Sequence, residues 1–78
     1  MNFQPAPAQK LYPDIVWKRL FADLDRDGQG LNIQIRRTIV CAIEQGVLTN
    51  GTRLPSSRRL AVLLGVARNT VTAAYQLL

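Results

Sequence analysis

Apolar residues along this chain recur at helical rather than strand spacing, in four stretches separated by turn-forming residues. Pro13 and Asp14 mark the first start. Ile15, Val16, Trp17, Leu20, Phe21 and Leu24 then form a broad apolar stripe. That stripe either packs on the helices that follow or docks on another subunit or domain. Leu31, Ile35, Ile39, Ala42 and Ile43 fall at i, i+4, i+8, i+11 and i+12, one face of a second helix, and Gly46 suits its C-terminal cap. The stretch "VLTNGTRLP" carries an Asn50-Gly51 turn and then Pro55, which disfavours helix in the residue before it. It reads as a connector with a short edge strand around Thr52–Leu54.

Ser56 is a good N-cap for a third helix that would bury Leu60, Ala61, Leu63 and Leu64 before Gly65 breaks it. Residues 67–78 form the fourth, with Val71, Ala74, Tyr75 and Leu78 inward. Residues 1–10, rich in Pro, Ala and Gln, read as a flexible arm. The expected organisation is mainly α. Residues 1–30 comprise the arm, an amphipathic helix and an Asp/Gly turn, and residues 31–78 supply a three-helix core.

At 78 residues the chain forms at most one small domain. A domain this size buries only about 60% of its unfolded surface. No apolar run approaches the roughly 20 residues needed to span a bilayer. "MNFQPAPAQK" lacks a signal-peptide pattern, so a cytoplasmic setting is expected. Cys41 has no second Cys and no His with which to make a disulfide or hold zinc, and its helical spacing suggests a small core residue.

"DLDRDGQG", Asp23 to Gly30, opens like a calcium-binding EF-hand loop, with carboxylates at alternate positions and then Gly. The twelfth position, however, is Gln34, a neutral amide where the pattern needs a bidentate Glu, and no second such loop pairs with this one. A solvated turn without metal is the expectation.

Charge changes the picture more by distribution than by amount. The net charge is +5. Residues 1–44 hold six Lys or Arg against all five acidic residues, whereas residues 45–78 hold Arg53, Arg58, Arg59 and Arg68 with no acid. A half-chain of one sign suits an anionic partner such as nucleic acid. The last two helices, meeting across Gly65, have the form of a helix-turn-helix. Ala61 is small where they would approach, Gly65 permits a positive φ, and Val66 and Val71 supply branched apolar contacts.

Both of these helices break a local rule at the same place. Helix N-termini favour Asp or Glu by about 0.3–1 kcal/mol, yet Arg58 and Arg59 open the third helix and Arg68 the fourth. Arg59 stands where a Glu would complete a capping box with Ser56. An external anion at these ends would offset the cost, because a helix N-terminus with an Arg beside it is a ready phosphate site.

The stretch "GVLTNGTRLPSSRRLAVLLGVARNTVTAAYQLL" resembles the winged helix-turn-helix domain of GntR-type bacterial transcription regulators. Gly46, Leu48, Gly51, Leu54, Pro55, Ser56, Arg58, Leu60, Ala61, Leu64, Gly65, Val66, Arg68, Thr70 and Val71 match that family's pattern. "LPSSR", "RNTV" and "AY", with "LDRDG" ahead of them, resemble the MocR-type branch, in which this domain precedes an aminotransferase-like domain that binds pyridoxal phosphate. The resemblance makes "DLDRDGQG" the lead-in to the first domain helix. It also implies double-stranded DNA as partner, a homodimer in the full protein, and a wing following Leu78, so that these residues would be a truncated winged helix-turn-helix.

Carried over by position, Arg58 contacts phosphate or a base edge. Arg68, Asn69, Thr70 and Thr72 lie at the exposed start of the recognition helix, and Arg59 touches the backbone. Ala67 departs from the family's usual Ser or Thr, removing an N-cap worth about 1 kcal/mol. The function expected is that of a DNA-reading portion of a regulator, without catalysis and without a cofactor of its own. Two other readings remain open at this stage. The chain could be the appendage of a pyridoxal-phosphate enzyme, although Lys10 and Lys18 sit in no recognisable catalytic setting. It could also be a protein-interaction module that works through the Trp17 stripe.

Overall fold

A computed structural model describes residues 12–49 and 51–78. The arm expected at 1–10 and Asn50 of the expected turn lie outside the described residues. Four helices follow in order, α1 (Asp14–Leu20), α2 (Leu31–Glu44), α3 (Ser57–Leu64) and α4 (Arg68–Gln76). Their starts and stops follow local chemistry. Pro13 stands at the N-cap of α1, and Asp14 gives its first turn the favoured negative charge. At the end of α2, Gly46 takes a φ of 80°. Its N–H donates to the Ile43 carbonyl at 3.1 Å, and the Val47 N–H reaches back to the Ala42 carbonyl at 2.9 Å. These paired bonds satisfy carbonyls that the end of a helix leaves open.

One apolar cluster unites all four helices. Ile35, Ile39 and Ala42 of α2 are buried together with Leu60, Ala61 and Leu64 of α3, Val71 and Ala74 of α4, and Leu48 from the connector. Trp17 and Phe21, each 2% exposed, belong to the same cluster. Tyr12 meets the Trp17 ring edge-on, with centroids 6.0 Å apart. The Trp17 stripe is therefore consumed within the chain, and a working surface built on Trp17 is ruled out by its burial. Ile15, at 52% exposed, is the stripe residue left outside.

Several expectations need correction. Thr52–Leu54 is not a strand, and no strand occurs among the described residues. A ladder needs a partner, and the segment instead closes a turn in which Thr52 donates to the Thr49 carbonyl from both its N–H (3.1 Å) and its hydroxyl (2.6 Å). Cys41 is exposed rather than in the core. It stands about 100° around α2 from Ala42, off the buried face. The fourth helix ends at Gln76, and Leu78 is 52% exposed instead of inward.

Leu60→Ala is expected to cost about 2–5 kcal/mol, because Leu60 has no solvent exposure and truncation leaves a cavity. Val62→Ala, two residues on and on the opposite side of α3 with 69% exposure, should stay within about 0.5 kcal/mol. Urea midpoints with an unchanged denaturant slope check both.

Candidate nucleic-acid interface

The geometry of this interface begins at the turn between α3 and α4. Gly65 has φ 69°. Its N–H donates to the Val62 carbonyl at 3.3 Å, while the Val66 N–H donates to the Ala61 carbonyl at 3.1 Å. A residue with a Cβ would be strained in that conformation by roughly 1–2 kcal/mol. At the other end of α3, the Ser56 hydroxyl accepts the Arg59 N–H at 3.1 Å, the cap expected of it. The Tyr75 hydroxyl donates to the Pro55 carbonyl at 2.6 Å, tying the second half of α4 to the residue just before that cap. With the crossing held at both places, the beginnings of α3 and α4 come together. Arg68 Nε lies 3.3 Å from Ser57 Oγ and donates to it.

Arg58, Arg59, Arg68 and Asn69 are all exposed, while Thr70 and Thr72 are half-buried. Helical spacing puts Asn69 and Thr72 on the side of α4 opposite buried Val71 and Ala74, with Thr70 on a flank. Exposed Gln76 continues the same outward row one turn beyond Thr72, a position the sequence reading passed over. Ala67 makes no side-chain cap, as its methyl side chain requires. Arg59 is committed elsewhere, forming an ion pair with the Asp14 carboxylate, the only ion pair among the described residues. That contact joins residues 45 apart, so nothing in the local sequence signals it.

The first turns of α3 and α4 contain no acidic residue. Elsewhere arginines sit at the opposite, electronegative helix ends. Arg26 Nε donates to the Leu64 carbonyl at 2.6 Å at the end of α3, and Arg36 Nε donates to the Leu77 carbonyl at 3.2 Å at the end of α4. Those two satisfy open carbonyls and the helix dipole together. Arg58 and Arg68 do neither.

The Asp-rich turn is organised by the residue that spoils its calcium pattern. Gln34 accepts the Asp25 N–H at 3.0 Å and donates to the Asp25 and Gln29 carbonyls, each at 3.2 Å. A glutamate could not donate those last two bonds. No group of three or more His, Cys, Asp or Glu residues among the described residues is arranged to hold a metal ion.

The description "Bacterial regulatory proteins, gntR family" matches residues 31–78, the segment that contains α2, α3 and α4. This chain belongs to the gntR family. The gntR-family chain is 47% identical over 49 residues to the HTH-type transcriptional regulator Rv1152 of Mycobacterium tuberculosis, a match covering 63% of this chain and 40% of that protein. It is 49% identical over 49 residues to the HTH-type transcriptional regulator TauR of Rhodobacter capsulatus, covering 62% of this chain and 10% of TauR. It is also 49% identical over 45 residues to the HTH-type pyridoxine biosynthesis transcriptional regulator PdxR of Corynebacterium glutamicum, covering 58% of this chain and 9% of PdxR. The matched part thus spans less than half the length of each of these relatives. No solved structure matches the chain.

Within this gntR-family unit the Tyr75 tether has a pH signature. Burial pushes its phenol up from 10.0 to about 12. The neutral phenol is the form favoured in the folded state, so its contribution is complete below the unfolded value and is lost as pH climbs through the folded one. Tyr75→Phe should cost about 0.5–1.5 kcal/mol at neutral pH through the lost hydrogen bond. Chemical denaturation across pH 10 to 12 should show a loss of stability in the parent chain that Tyr75→Phe lacks.

Proposed function

We propose that this chain is the DNA-reading part of a cytoplasmic transcription regulator that acts on double-stranded DNA as a homodimer. The contact between Arg68 and Ser57 carries the reading, because it joins the positive ends of α3 and α4 along one exposed edge. Arg58 and Arg68 offer phosphate contacts there, and their charges are uncompensated by any acid in either first turn. Asn69 has the amide geometry that pairs with adenine, and Gln76 repeats it further along the row. Thr72 can touch a thymine methyl, and Thr70, on its flank, suits a phosphate. Pairing two copies on two half-sites would multiply affinity and add spacing specificity.

The chemistry available to this chain is binding, not catalysis. Membership of the MocR-type branch is supported by the likeness to PdxR. In that branch pyridoxal phosphate would be held by an aminotransferase-like domain outside these 78 residues. The residues here do not fit that group. Lys18, the one lysine among the described residues, is exposed on α1. No helix among the described residues is long and apolar enough to cross a membrane.

Anisotropy titration of a random-sequence duplex at increasing salt tests the reading. Binding should weaken steeply with salt, and Arg58→Ala with Arg68→Ala should flatten the plot of log affinity against log salt by about 1.8, two phosphate contacts at about 0.9 each. Binding by the double variant equal to that of the parent chain would refute it.

A further inference from the structure

Asp14 is the acid that intrudes on this otherwise basic edge. It starts α1, yet its carboxylate reaches the first turn of α3 and pairs with Arg59 there. Asp14 also lines a groove of about 490 Å³ together with Arg53 and Ser56, so it stands beside the N-cap of α3 rather than on a remote face. Its position is anchored. Trp17 lies three residues further along the same helix, 2% exposed in the core, so burial of the indole holds α1 in place. An isolated surface pair would loosen readily in water. This one is presented by a docked helix.

Resting on the DNA-binding reading above, we infer that Asp14 is a built-in competitor for Arg59, which withholds one arginine from the DNA backbone and lowers affinity for DNA of any sequence. An arginine already neutralised by a carboxylate releases no counterion when a phosphate arrives. The carboxylate also repels phosphates that pass within a Debye length, about 10 Å at 0.1 M salt. Arg58 and Arg68 have no carboxylate partner among the described residues and keep their full effect. Because a phosphate contact carries no sequence information, this lowers affinity for specific and non-specific sites by a similar factor and leaves discrimination to the base contacts. The arrangement also explains why three arginines crowd the starts of α3 and α4 while only two are free to act.

Salt titrations of the chain with a random-sequence duplex separate the roles. Asp14→Asn should tighten binding roughly threefold or more at low salt and steepen the log affinity against log salt plot by about 0.9, as one more arginine engages a phosphate. Arg59→Gln should leave the slope of the parent chain unchanged, whereas Arg58→Gln should flatten it by about 0.9. Asp14→Glu, which keeps the charge, should bind as the parent does. Trp17 emission reports whether α1 stays docked, and the comparison of Arg59→Gln with Arg58→Gln decides the matter whether or not D14N loosens the helix. An unchanged slope in D14N with α1 docked, or a slope in Arg59→Gln as flat as in Arg58→Gln, would overturn the inference while leaving DNA binding intact. Absence of salt-dependent binding by the parent chain would overturn both.

Discussion

The crossing of α3 over α4 is the constraint on which the rest of this molecule depends. It is made by burying Leu60, Ala61 and Leu64 of one helix with Val71 and Ala74 of the other, around a turn whose central residue takes a φ of 69°. Of these, Ala61 supplies the least bulk where α3 meets the core, and Gly65 removes the penalty of the left-handed conformation. The Tyr75 bond to the Pro55 carbonyl closes the same unit from the far side. Without that crossing, Arg58, Arg68 and Asn69 would be scattered polar residues on two short helices. With it, they share an edge.

Arginine is used in two opposite ways in this chain. Arg26 and Arg36 cap the carbonyl ends of α3 and α4, where a cation is favoured by the helix dipole and by the open carbonyls together. Arg58, Arg59 and Arg68 stand at the amide ends of the same two helices, where a cation is disfavoured. The first use stabilises the fold. Within the fold the second makes only the Arg59 contact with Asp14 and the Arg68 contact with Ser57 among the described residues, and an anion at those helix ends would offset the cost. The same physical rule, applied at the two ends of each helix, thus separates arginines that cap carbonyls from arginines left at the amide ends.

Much of this was legible in the sequence because the signals are local. Ser56 as N-cap, Gly46 and Gly65 as helix stops, and the burial of Ile35, Ile39, Leu60, Val71 and Ala74 all follow from spacing and residue type over a few positions. The expected strand at Thr52–Leu54 failed because extended residues need a partner, and the threonines found a turn instead. Cys41 was misplaced because its helical spacing was taken as that of the buried face, whereas it stands about 100° around α2 from buried Ala42. The contacts of Asp14 with Arg59, Arg26 with Leu64 and Arg36 with Leu77 span 45, 38 and 41 residues, distances over which no periodicity carries information. The meeting of α3 and α4 across Gly65 was legible in the helix-turn-helix spacing, whereas the contact of their starts through Arg68 and Ser57 was not.

Amide chemical-shift mapping of the isotope-labelled chain on addition of a short duplex, at low salt, tests whether the joined starts of α3 and α4 form the surface that meets DNA. The largest shifts should fall on Ser57, Arg58, Arg68, Asn69 and Thr72, with Ile15, Cys41 and Val47 on other exposed surfaces unmoved. Shifts centred on Cys41 and Val47, with the α3 and α4 starts silent, would contradict that placement.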